Sequence, residues 1–129
     1  MSLNNLASCL SDLGRREEAL TAAEEAVRHY RTLAATRPDA FTPDLARSLS
    51  VLGDMLEALD RIPDAIPSDE EAIRLLRPYF LQQPATFTEA IVAYARDYIR
   101  RCELADKEPD IELLEPIIKA LSGGHTDGQ

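Results

Sequence analysis

The chain has 129 residues, a net charge of −9 from 23 acidic and 14 basic side chains, and only 5% aromatic residues. Its length suits one small domain and leaves no room for a large enzyme with a separate cofactor domain. So acidic a chain lacks the basic face that neutralises phosphates, which argues against nucleic acid and against an anionic membrane surface.

Eighteen alanines and eighteen leucines favour helix throughout. Leu3, Leu6, Leu10 and Leu13 recur at helical spacing, and Gly14 behind them is a stop signal. A second helix is expected from Glu17 to about Arg37, with Ala19, Leu20, Ala23, Ala26, Val27, Tyr30 and Leu33 on one stripe. Its acids come first and Arg37 comes last, which suits the helix dipole, and Pro38 ends it. Thr42, Pro43 and Asp44 read as the cap and first turn of a third helix that runs to about Leu59. The fourth, near Pro63 to Gln82, contains Pro67 and Pro78. Pro67 predicts a kink or a delayed start near Ser68, and Pro78 a bend or an early end. Helices five and six are expected over Phe87 to Glu103 and Pro109 to Leu121, with Pro116 as a further kink. Residues 123–129 lack apolar periodicity and read as a disordered tail. No stretch alternates like a strand for long, so the fold class is all-α.

The chain repeats itself at an offset of 46. Ser2, Leu3 and Leu6 fall on Ser48, Leu49 and Leu52, Arg15 on Arg61, Ala19 on Ala65, and Glu24, Glu25 and Ala26 on Glu70, Glu71 and Ala72. Pro38, Phe41 and Thr42 fall on Pro84, Phe87 and Thr88. In all, 15 of 46 positions are identical, several times what chance gives. A weaker third copy places Tyr94 and Tyr98 after Ser48 and Leu52, and Asp106 and Lys107 after Asp60 and Arg61. The repeats are therefore 2–47, 48–93 and 94–122 within a domain of 1–122. Six antiparallel helices in three hairpins form a helical-hairpin solenoid.

Leu3, Leu6, Ala7, Leu10, Gly14, Ala19 and Ala26, then Leu49, Leu52, Gly53, Leu56, Ala65 and Ala72, resemble the apolar and small positions of a tetratricopeptide repeat. The period exceeds the family's usual length by about 12 residues, which should lengthen the helices by a turn or two each. The wording Leu3, Asn4, Asn5, Leu6, Ala7 and the long repeat resemble the kinesin-light-chain-like branch, of the kind common in bacterial multidomain signalling proteins. Pro67, Asp69 and Pro78 depart from the pattern.

The residues offer little to an enzyme. His29 and His125 are the only histidines, and neither sits in a triad-like neighbourhood. Zinc spacing and a phosphate loop are missing, so no metal and no cofactor is expected. Cys9 and Cys102 read as two reduced core thiols, and the compartment as cytoplasmic. The paired acids Glu24 with Glu25 and Glu70 with Glu71 read as solvated helix faces.

What remains is a surface. The resemblance implies a concave face lined by the first helix of each hairpin, with a peptide or partner protein bound there. It carries Asn4, Asn5, Ser8 and Asp12 from the first copy, Ser50, Asp54 and Glu57 from the second, and Arg96, Arg100 and Glu103 from the third. Asn4 and Asn5 suit peptide-backbone contacts, and Arg96 and Arg100, one turn apart, suit a carboxylate clamp. Asp54 and Glu57 would repel acids or pair with a basic residue. Tyr94 and Tyr98 read as core. The expected function is a non-enzymatic protein-interaction module. The alternatives are an assembly segment of a larger signalling protein and a small-ligand sensor. With no cap ahead of Ser2, the chain reads as cut from a longer array or as self-associating, in the second case as a homodimer through its N-terminal repeat.

Overall fold

A computed structural model describes residues 2–126, with side chains through residue 123. It contains helices α1 (Leu3–Asp12), α2 (Arg16–Thr36), α3 (Pro38–Ala58), α4 (Ile62–Gln82), α5 (Pro84–Leu104) and α6 (Ile111–Thr126). Helices α2 to α5 each have 21 residues, so the added repeat length does go into longer helices. The Ser2 hydroxyl accepts the Asn5 N–H at 3.1 Å and caps α1, so the helix starts at its own cap.

The offset of 46 reappears as backbone geometry. Gly14, Asp60 and Asp106 all adopt positive φ, at 80°, 59° and 56°. Each follows the last turn of a first helix. The N–H groups of Arg15, Arg61 and Lys107 donate back to the carbonyls of Leu10, Leu56 and Cys102, each at 2.8 Å. This is one Schellman cap used three times, with glycine only in the first copy. The other junctions are abrupt. Arg37 and Gln83, at φ −136° and −134°, each form a one-residue link before Pro38 and Pro84 at the start of the next helix.

Those junctions correct three expected boundaries. Helix α3 begins at Pro38, so Thr42 is a buried helical residue and Pro43 lies inside the helix. Helix α5 begins at Pro84, ahead of Phe87. Helix α4 starts at Ile62 and runs unbroken past Pro67 and Pro78 to Gln82, with neither a delayed start nor an early end. Each internal proline forfeits one backbone bond, and burial of Ala65, Ile66, Ala72, Ile73, Leu76 and Phe80 outweighs that loss. Helix α6 carries on through Gly123 to Thr126, past the expected end near 122, because propagating a formed helix is cheap. The rest of the expected tail, 127–129, lies outside the described residues.

Successive helices from α1 to α5 pack on one another, and α1 also meets α3. One core joins Val27, Leu49, Ile73, Phe80, Ile91 and Tyr98 across all three repeats. A second joins Ala7, Leu10, Ala19, Leu20 and Ala23 to Met55, Leu56 and Ala65. The third hairpin departs from the other two, since α6 lies against α4. Leu113, Leu114 and Ile117 are its buried face, and Arg77 of α4 donates to the Leu113 carbonyl at 3.0 Å. Tyr98 is core, as its spacing predicts. Its hydroxyl donates to Glu70 and accepts the Asp110 N–H, both at 2.7 Å, tying the α5–α6 link to α4. Cys102 is buried, but Cys9 is exposed, which corrects the expectation of two core thiols.

Candidate functional site

The groove expected from the sequence is the face made by α1, α3 and α5. The structure divides its residues into three groups.

Asn4 is buried, and its amide donates to the Ser48 hydroxyl of α3 at 3.0 Å. It ties two helices together and is not available to a peptide, which corrects the role expected of it. Asn5, Ser8 and Asp12 on α1 are exposed, Ser50 on α3 is half-buried, and Arg96 on α5 is exposed. The side chains of these five make no hydrogen bond or ion pair among the described residues.

Asp54, Glu57 and Arg100 form the third group, and they are already engaged. Arg100 donates to both Glu57 oxygens, at 2.6 and 2.9 Å, in a two-point fork. The expected Arg96–Arg100 clamp is therefore not formed, because Arg100 is turned onto α3. Beside it lies Arg101, which is 1% exposed. Arg101 donates to Glu57 at 2.9 Å, to Asp54 at 2.6 Å and to Asp69 at 2.7 Å. One guanidinium thus bridges α3, α4 and α5.

Gly53 makes room for this hub. A Cβ there would lie 2.7 Å from Arg101 Nη1 and 2.8 Å from Asp69 Oδ1. Sequence reasoning passed over Arg101, although its register gave a signal. Arg101 falls at the offset of 46 on Met55, Asp69 on Ala23 and Gly53 on Ala7, all core positions. A charge written into a core position requires a buried partner, and here two such charges answer each other.

The electrostatics follow burial and pairing. Burial outweighs Arg101 at Asp69 and pushes its carboxyl up to about 7, with Asp97 and Asp54 adding repulsion. Asp69 Oδ2 is buried without a partner among the described residues. The forked hydrogen bonds from Arg100, then those from Arg101, hold Glu57 down at about 2. Burial raises the Tyr94 hydroxyl, while Arg47 of α3 opposes the rise, which places an exposed cation missed by the sequence reading near that ring.

Among the described residues no cluster of His, Cys, Asp and Glu could hold a metal ion, and no helix is long and apolar enough to cross a membrane. A family model described as tetratricopeptide repeat matches residues 1–77. No curated protein and no solved structure matches the chain. With the repeated hairpins and that match, the chain belongs to the tetratricopeptide-repeat family, whose repeats generally mediate protein–protein interaction.

Proposed function

We propose that this chain is a non-enzymatic binding module that holds a segment of a partner protein along the concave face formed by α1, α3 and α5. The observation that carries this reading is the division of that face. Its centre is locked by Arg101, while Asn5, Ser8 and Asp12 at one end and Arg96 at the other stay unengaged. A locked centre keeps the helices in place before binding, so little ordering entropy is lost on association. Free amide, hydroxyl and guanidinium groups then fix the register of the segment. Arg96, with Arg47 on the neighbouring helix, takes the part of carboxylate anchor once expected of the Arg96–Arg100 pair. The free thiols Cys9 and Cys102 suit a reducing compartment such as the cytoplasm.

The test is affinity capture from a lysate of the source organism with four baits: wild type, Arg96→Glu, Ser8→Arg and the α2 surface variant Arg28→Glu. Loss of one charge-assisted contact is worth about 1.5–3 kcal/mol, or roughly 10–100-fold in affinity. The partner is expected on wild type and Arg28→Glu and lost from the other two. Equal capture by all four would refute the groove.

A further inference from the structure

Seven of the eight large apolar side chains left exposed among the described residues lie on the first helix or the last hairpin: Leu6 and Leu13, then Ile99, Leu104, Ile111, Ile118 and Leu121. Apolar surface thus remains at the ends of the stack, away from the α1/α3/α5 groove. At the first end, Leu3, Leu6, Leu10, Thr21, Ala22 and Glu25 line a shallow groove between α1 and α2.

The internal register says what covers such a face. Leu6, Leu13 and Glu25 fall, at the offset of 46, on Leu52, Leu59 and Glu71. Leu52 and Leu59 pack into the cluster to which the first hairpin contributes Ala7, Leu10, Ala19, Leu20 and Ala23. Glu71 receives two hydrogen bonds from Arg31 of α2, at 2.6 and 3.2 Å. The equivalent groups of the first repeat have no such cover. Leu6 is 38% and Leu13 71% exposed, and the Glu25 carboxylate has no partner among the described residues.

We infer that the α1/α2 end is a docking face for a helical hairpin of this chain's own repeat type. Its second helix brings an arginine to Glu25 as Arg31 comes to Glu71. The face is separate from the α1/α3/α5 groove, and the inference does not rest on that reading. A second copy stacked in register does not satisfy it. The residue 46 positions after Arg77 is Gly123, so α6 has no arginine to offer, and α6 leans on α4.

The probe is the full chain preceded by an added copy of residues 2–47, which puts the added Arg31 in register with Glu25. Docking predicts a rise in melting midpoint of at least about 5 °C and at least roughly tenfold slower amide exchange in α1. Glu25→Arg in the extended chain should remove part of the rise, and Arg31→Glu in the added copy should restore it. An extension that adds no helical signal and leaves α1 exchange unchanged would overturn the inference. So would an exchange rate unmoved by Leu6→Glu in the extended chain. Sedimentation of the wild-type chain gives a third reading. A dimer dissolved by Leu6→Glu would show that a second copy covers the face and would overturn the hairpin, whereas a monomer agrees with it.

Discussion

Gly53→Ala tests the Arg101 hub with the smallest change available. In an open helix this substitution gains about 1 kcal/mol of helix propensity. Here the new Cβ would lie 2.7 Å from Arg101 Nη1 and 2.8 Å from Asp69 Oδ1, so each must retreat by over half an ångström. A free arginine tip would move cheaply. This one is held on its other nitrogens by Glu57 and Asp54 and is 1% exposed. Overpacking or stretching a buried charged hydrogen bond costs about 2–4 kcal/mol. The net loss is then about 1–3 kcal/mol, which for a chain of this size lowers the melting midpoint by roughly 4–11 °C. Differential scanning calorimetry reads the shift. The same substitution in an Arg101→Met background separates strain from propensity, because without Nη1 its effect should shrink or turn favourable. A Gly53→Ala protein as stable as wild type would refute the hub's tight packing.

Asp60→Gly and Asp106→Gly should each stabilise the fold by about 0.5–1 kcal/mol in urea unfolding, since both positions hold the positive φ that Gly14 adopts freely; a loss at either would contradict the shared cap. Asp69 binds its proton more tightly folded than unfolded, at about 7 against an ordinary carboxyl. Its contribution is therefore fully present below about pH 4 and lost as pH rises through 7. Asp69→Asn should flatten the fall in stability between pH 5 and 8, and a wild-type curve that rises across that window would contradict the sign. Glu57 behaves oppositely, because its carboxyl is held at about 2. Its contribution is present above about pH 4.5 and fades as pH falls towards 2, and Glu57→Gln should lose about 1–2 kcal/mol at pH 7 in urea unfolding.

The parts legible in the sequence were those that the repeat imposes twice. Leu3, Leu6 and Leu10 announce α1, and Leu49, Leu52 and Leu56 announce α3 at the same spacing, so a local pattern sufficed. The family and the lengthened helices followed from it. Boundaries at prolines were misread because Thr42 with Pro43, and Pro67 with Ser68, are good local start signals that tertiary burial overrides. The site was misread for a related reason. Asn4 and Arg100 look like free polar groups on a helix face, yet each is committed to α3, through Ser48 and Glu57. Such pairings link residues more than 40 positions apart, and no local pattern encodes them. Arg101, Asp69 and Gly53 were visible only as departures from Met55, Ala23 and Ala7.

The most direct test of partner binding on the α1/α3/α5 face is site-specific photocrosslinking. A photoreactive residue would be placed at Ser8 or Arg96 on that face, and at Arg28 or His29 on the exposed surface of α2, in the presence of the captured partner. Covalent adducts from Ser8 and Arg96 and none from Arg28 and His29 are the predicted result. Adducts from α2 alone would contradict it and move the binding surface to the opposite side of the stack.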